Sequence, residues 1–412
     1  MSKILTRFPR TALAVCALML TVLLLTRCIG REAGGDAVKN ARGAAFAGSA
    51  ICANCHKDIS AQHLHSAHYL TSRPPEAAYI KGSFEPGHNS YSFNRSVVVA
   101  MEKREDGFYQ VEYFRDEEKK ARRFDMVIGS GTMGQSFLNF SNDHFFQLPI
   151  TYFTAADRWS NSPGFPDKVV FNRVITSRCL ECHTTFAQVT SAPGAEPETF
   201  DPKRVIYGVD CEKCHGPAAD HVAFQTVHPE AKSAKFILNP ARFPRQQSLD
   251  LCASCHGGRL TKTQPSFTFT AGDTLSNYFI VDTTLPDPGH VDVHGNQYAL
   301  LRASHCFRAS MTMTCNSCHG PHGNERGNVA LFSQRCMSCH NGQESPVCPL
   351  QKTEGAIIQK NCVDCHMPLQ ASRAIAVQLA GDAEPVAAQI RSHFIRVYPE
   401  QTARVLAQLK KK

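Results

Sequence analysis

Outside one recurring pentapeptide, the 412 residues hold only four cysteines: Cys16, Cys28, Cys306 and Cys348. That is too few for a disulfide framework to organise a chain of this length. Long apolar runs are scarce as well. The one extended uncharged stretch is Thr11–Thr26, so a protein that crosses a membrane many times is excluded. No basic segment interleaved with aromatics appears, and nucleic acid is excluded as a partner. The excess of Lys and Arg over Asp and Glu, 44 against 36, therefore needs another explanation.

What the chain has in abundance is Cys-x-x-Cys-His. Seven copies occur: Cys52/Cys55/His56, Cys179/Cys182/His183, Cys211/Cys214/His215, Cys252/Cys255/His256, Cys315/Cys318/His319, Cys336/Cys339/His340 and Cys362/Cys365/His366. Zinc ribbons and redox thiol pairs also use Cys-x-x-Cys, but neither requires a His directly after the second Cys. The full pentapeptide reads as a covalent c-type haem attachment site, with two thioether links and a proximal imidazole. Seven covalently bound haem c groups are expected. A ferric haem with two ionised propionates carries about one negative charge. Seven of them nearly cancel the formal charge of +8, which casts many Lys and Arg as propionate partners.

The start of the chain resembles an export signal. Lys3, Arg7 and Arg10 precede Thr11–Thr26, and Arg27 closes it. The apolar stretch is long for a secretory core and short for a spanning helix, and no small-x-small cleavage site follows directly. An uncleaved anchor or an atypical lipoprotein at Cys28 is expected, with the bulk of the chain exported to the periplasmic side of a bacterial membrane. In that oxidising space Cys306 and Cys348 are candidates for a disulfide; two unrelated thiols is the alternative.

The composition divides the rest. Residues 1–30 are the signal or anchor, 31–48 a tether, and 49–72 the first haem segment. Residues 73–178 hold no motif. There Ser96–Ala100, Phe108–Phe114, Phe124–Ile128, Gln135–Phe140 and His144–Phe153 alternate or are β-branched and aromatic, which predicts an antiparallel β insert of four or five strands. Haems 2–4 fall in 179–260, a loop region in 261–300, haems 5–7 in 301–370, and a helical tail in 371–412. The expected fold is thus mainly α, with short helices and loop around a haem array, plus the β insert: α+β overall. A haem array of this kind has little conventional core, and the porphyrins serve as one.

The sixth ligand decides the chemistry. An iron held by His on both faces passes electrons, whereas an open face binds substrate. Twelve His lie outside the motifs, enough for every iron. His68, His221, His294, His305, His322 and His393 are the favoured distal donors. His63, His65, His144, His228 and His290 compete for the seventh place, with Met311 or Met313 as further options.

Ser66-x-His68 after the first motif, Cys-His-Gly-Pro at motifs 3 and 5, and Cys-His-Met-Pro at Cys365–Pro368 resemble the multihaem cytochromes of the cytochrome c-552/c-554 group. The resemblance covers roughly 50–72 and 179–370. It implies bis-His haems in stacked and perpendicular pairs, and periplasmic electron transfer. Its catalytic relatives are pentahaem nitrite reductases, hydroxylamine oxidoreductases and octahaem tetrathionate reductases. The β insert and the count of seven depart from the tetrahaem members.

Three functions are compatible with this sequence. The first is an electron carrier between a quinol oxidase or other cytochromes and an envelope acceptor. The second is an oxidoreductase with one open haem acting on a small nitrogen or sulfur compound. No motif replaces the proximal His by Lys, which counts against it, while Cys306 keeps a sulfur substrate in play. The third is a structural haem wire or fixed subunit.

Overall fold

A computed structural model describes residues 37–258, 260–281, 296–343, 345–382 and 384–411. The chain divides into two units, Met1–Lys39 and Asn40–Lys412. The expected export segment and the start of the tether lie outside the described residues. Among the described residues no helix is long and apolar enough to cross a membrane.

Alternating apolar residues and two-residue turns build the middle of the chain. Ser90–Ser92, Val97–Arg104, Gly107–Phe114 and Glu117–Arg123 form a four-stranded antiparallel meander. Its last turn, Arg115-Asp116, has φ of 48° and 66°, and Asn142-Asp143 repeats this at 50° and 63° between Gly134–Ser141 and His144–Gln147. Two positive φ angles give the turn the twist that the flanking strands already have. Val99, Met101 and Val111 are fully buried, and Val99 and Met101 pack against a second sheet. Gln110 joins the two sheets: its amide donates to the Ile150 carbonyl at 2.7 Å and its oxygen accepts from the Ile150 N–H at 3.0 Å.

That second sheet has nine strands. Its path runs Ser72–Arg73, Met126–Ile128, Gly134–Ser141, Ile150–Phe153, Arg158–Asn161, Leu369–Leu379 and Val386–Arg391, with His144–Gln147 and Arg173–Val174 off the path. The C-terminal hairpin therefore completes the insert, through Ser160 opposite Leu379 and Asn161 opposite Gln378. Smaller hairpins, Thr184–Val189 with Phe200–Tyr207 and Thr261–Lys262 with Phe279–Ile280, lie among the motifs.

The expectation of a mainly α fold is overturned. Seventeen strands stand beside twelve α-helices among the described residues, and the largest sheet is antiparallel. The tail shows the physical reason. Ile390 belongs to a period-two strand in which Ala388 is the buried residue, not to a helical stripe. Pro399 starts the helix Pro399–Leu409, as its fixed φ and missing N–H favour. Strands of mixed polarity close to the motifs, such as Phe200–Tyr207, have no strong pattern of their own and are stabilised by their partners.

The main apolar core belongs to the β region. Phe124 and Phe137 stack with ring centres 4.3 Å apart, and the sole tryptophan, Trp159, packs against Phe84, Phe137 and Tyr152. Its indole N–H donates to the Ser83 carbonyl at 2.8 Å. Among the described residues, the motif-bearing part has apolar clusters around Ala253–Phe279 and around Leu249, Leu301 and Phe307.

Polar ties do more of the work there. Arg335 donates to both oxygens of Glu325 and to the Cys318 carbonyl. The guanidinium holds the Glu325 carboxyl at about 2, below its ordinary 4.5. A depressed carboxyl contributes stability above its unfolded value and loses it as pH falls through the folded one. The stability gap between wild type and Glu325→Gln, read from melting midpoints, should therefore be full above pH 5 and shrink towards pH 2. In the β core, a Cβ at Gly82 would overlap the Trp159 ring. Gly82→Ala should cost about 1–3 kcal/mol, checked by denaturant unfolding.

Candidate functional site

Each Cys-x-x-Cys-His unit spans about one helical turn. Both thiols and the imidazole then share one face, since residues three and four apart are neighbours on a helix. Ser177–His183, Cys211–His215, Arg245–His256 and Cys362–His366 are helices that end on the motif His. The other motifs keep the same turn through the His56 N–H to Cys52 carbonyl bond at 2.8 Å, His319 to Cys315 at 3.0 Å and His340 to Cys336 at 3.0 Å.

The fold then presses the motifs together. Thiols of different motifs lie side by side: Cys52 with Cys211, Cys182 with Cys255, Cys252 with Cys315, and Cys336 with Cys362. Several side chains hold these contacts. Buried Glu212, inside motif 3, accepts from the Ala47, Gly48 and Ala218 N–H groups at 2.8–2.9 Å and so pins the segment leading into motif 1. Asp210 caps Cys211 at 2.8 Å. Burial alone would raise its carboxyl, but bonds from His63, Ser49 and the Cys211 N–H pull it to about 2. Lys213 reaches the Glu181 carbonyl of motif 2 at 2.9 Å, and buried Ser333 accepts from the Cys362 N–H at 3.0 Å. Sequence reasoning passed over all of these. Only Asp210, an Asp directly before a short helix, carried a recognisable signal.

The sequence treats the fourteen attachment thiols alike, and the structure corrects that. Cys55, Cys179 and Cys339 are exposed, whereas the other eleven are half-buried. The reason lies in what packs on each motif. In motifs 1 and 6 the neighbouring motif meets the first thiol, Cys52 or Cys336. Cys55 and Cys339, three residues further on, are left facing solvent. In motif 2 the order is reversed: Cys182 meets Cys255, and Cys179 is the open one. Local spacing in the sequence carries no sign of this, because the covering thiol comes from a distant segment.

The imidazoles share a pattern. Nδ1 donates to a backbone carbonyl in His215 (Leu238, 2.8 Å), His340 (Pro346, 3.1 Å), His366 (Arg396, 2.9 Å), His221 (Lys235, 2.9 Å), His393 (Arg391, 3.3 Å) and His144 (Glu198, 2.8 Å). A carbonyl only accepts, so Nδ1 carries the proton and Nε2 keeps a free lone pair for a metal. His183 Nδ1 lies 3.0 Å from the Thr71 hydroxyl.

Three pairs of imidazoles stand opposite one another. His256 and His68 have ring centres 6.2 Å apart, His215 and His322 6.1 Å, and His319 and His393 6.1 Å. Metal–nitrogen bonds of about 2.0–2.1 Å, with ring centres about 1.1 Å further out, put two imidazoles on opposite faces of one metal at about 6.2–6.4 Å. The residues present thus fit an iron between each pair. Burial first, and then the facing motif imidazole, hold His68 and His393 down to about 4. They are neutral at physiological pH, as a ligand must be. In every pair the donor comes from a distant segment, and His322 faces the His of motif 3, not that of its own motif 5.

The remaining candidates divide. His221 sits on Ala219–Val227, with its Nε2 free of the carbonyl bond. His305 is exposed at the start of His305–Ala309. His290 and His294 lie outside the described residues. His63 is buried, with Nε2 3.3 Å from Asp210. Met311 is exposed, and Met313 packs beside Leu249 and Phe307. Cys306 and Cys348 are free thiols, the second of the two alternatives the sequence left open.

Comparison with known proteins agrees with this geometry. The profile of the family described as cytochrome c554 and c-prime matches residues 166–216, which hold motifs 2 and 3. The multiheme cytochrome MtrA of Shewanella baltica (strain OS185) is 26% identical over 197 residues, 41% of this chain and 53% of that protein. The match thus spans about half the length of that relative. The crystal structure of the outer cell wall cytochrome OcwA shares the fold, with a TM-score of 0.52 at 15% identity over 87% of this chain and 81% of that one. Taken with the seven motifs and the spacing of the imidazole pairs, these likenesses support a multihaem c-type cytochrome.

Proposed function

We propose that the chain carries seven covalently bound haem c groups, one per motif, and serves as an electron-transfer protein of the bacterial cell envelope. The reading rests on one observation: motifs remote in sequence touch. Motif 1 meets motif 3 through Cys52 and Cys211, and motif 4 meets motif 2 through Cys182 and motif 5 through Cys315. Cys214 of motif 3 lies near Cys255 of motif 4. Arg335 ties motif 6 to motif 5, and Cys336 with Cys362 ties motif 6 to motif 7. These contacts run 1–3–4–5–6–7, with motif 2 touching both motif 3, through Lys213 and Glu181, and motif 4. When bound, each haem iron supplies a one-electron couple.

The protein's part is to hold and order those groups. His56, His183, His215, His256, His319, His340 and His366 are the proximal donors. His68, His322 and His393 close the irons of motifs 4, 3 and 5, and His221, His294 and His305 remain distal candidates for the others. Backbone carbonyls fix the ring tautomers, so little needs to rearrange when charge moves. Covalent haem attachment takes place outside the cytoplasm, which supports export. Other cytochromes or a membrane quinol oxidase are the proposed partners, with the membrane reached through an N-terminal anchor.

A second reading keeps one specific observation. Among the described residues, no second imidazole stands opposite His56, His340 or His366 at the spacing of the three pairs. An open iron at one of these motifs would suit an oxidoreductase acting on a small nitrogen or sulfur compound.

Haem quantification of the mature protein should give seven per chain, and carbon monoxide should leave the reduced spectrum unchanged. A shift of about one haem in seven in the wild type would instead favour the oxidoreductase. His68→Ala, His322→Ala and His393→Ala should each open about one seventh of the haem to carbon monoxide. His228→Ala, at an exposed residue beside Glu230, should open none. A lower haem count in fully matured protein would overturn the seven-haem reading.

A further inference from the structure

Arg73 is 9% exposed, and no carboxylate pairs with it among the described residues. Its Nε and Nη2 both donate to the Tyr69 carbonyl, at 2.9 and 2.6 Å. The guanidinium carbon lies 3.2 Å from the centre of the Tyr69 ring and 5.8 Å from that of Tyr79. Two acidic groups face it, and neither forms an ion pair with it. Asp210 is engaged by His63, Ser49 and the Cys211 N–H, and Glu76 is exposed. A buried cation without an anionic partner is costly, which is why such groups are almost always paired.

The space beside Arg73 is a cavity of about 40 Å³, lined also by Lys81, Tyr79, Ser130 and Gln135. Its walls carry two cations and no acid. At 10–15 Å³ for each enclosed water, it holds roughly three waters, or one carboxylate-sized anion. The surrounding backbone is shaped to it. Gln135 accepts from the Lys81 N–H at 2.9 Å and donates to the Tyr79 carbonyl at 2.7 Å, which fixes the wall. A Cβ at Gly208 would overlap the Tyr69 oxygen and lie 3.0 Å from the Arg73 guanidinium. A Cβ at Gly131 would lie 2.7 Å from the Lys81 stem. Glycine at both positions, each with positive φ, leaves room for the Arg73 and Lys81 side chains. The cavity adjoins motif 2, because Thr71, two residues before Arg73, contacts His183.

We infer that Arg73 and Lys81 form a binding site for one small oxyanion of carboxylate type. Its source is either a propionate of the haem attached at Cys179 and Cys182 or a free anion. The site stands on Arg73 and Lys81 whatever the haem count; only the propionate source rests on the function proposed above.

The test uses mature full-length protein of verified haem content, with Arg73→Gln and Lys81→Gln beside wild type. Redox titration followed by absorbance, and melting with and without formate or nitrite, are read on each. If the anion is a propionate, both variants should move about one haem equivalent to lower potential, since a positive charge beside it is lost, and added anions should leave the wild type unchanged. If the anion is free, formate or nitrite should raise the wild-type melting temperature saturably, and both variants should lose that response while their potentials stay in place. The inference is overturned if the variants match wild type in potentials and in anion response. Should Arg73→Gln fail to mature, Lys81→Gln, whose side chain is exposed, decides the question alone.

Discussion

An iron with two imidazole ligands imposes one distance, about 6 Å between ring centres, and the rest of this structure depends on meeting it. The motif supplies one imidazole automatically. The other must arrive from elsewhere, and in the three facing pairs it comes from a remote segment: His68 to motif 4, His322 to motif 3 and His393 to motif 5. With an iron bound between its members, each pair would act as a long-range cross-link between segments far apart in the chain. A link that closes a long loop removes more freedom from the unfolded chain than a local one.

The β region carries a conventional core of aromatic and β-branched side chains, and it also positions the haem-bearing part. Its sheet is finished by Leu369–Leu379 and Val386–Arg391. The last strand ends two residues before His393. Arg391 donates to the Val363 and Met367 carbonyls and pairs with Asp364 inside motif 7. One hairpin thus ties the insert, a proposed ligand of motif 5 and the backbone of motif 7 together.

Legibility in the sequence followed the range of the interaction. The motifs are local: five residues in one turn specify the chemistry, and no partner is needed to recognise them. Strands such as Gly107–Phe114 were equally visible, because their alternation is local too. Glu117–Arg123 was not, since a run of charged residues forms an edge strand only when Gly107–Phe114 offers it hydrogen bonds. The C-terminal hairpin was misjudged for a related reason. Apolar residues spaced along 390–409 fit a helical stripe as well as a strand followed by a helix, and the pairing of Leu379 with Ser160 decides between them. The uneven cover of the attachment thiols, with Cys55 and Cys339 open beside sheltered Cys52 and Cys336, was illegible on the same ground.

By itself, then, the sequence pointed to covalently held haem c, because attachment needs only residues that adjoin in the chain. It also supplied enough His to close the irons. Which His faces which motif, which motifs touch, and where cations such as Arg73 stand without a protein anion were decided by tertiary structure alone. Those are distances between segments far apart in sequence, and only packing brings such segments to a fixed separation.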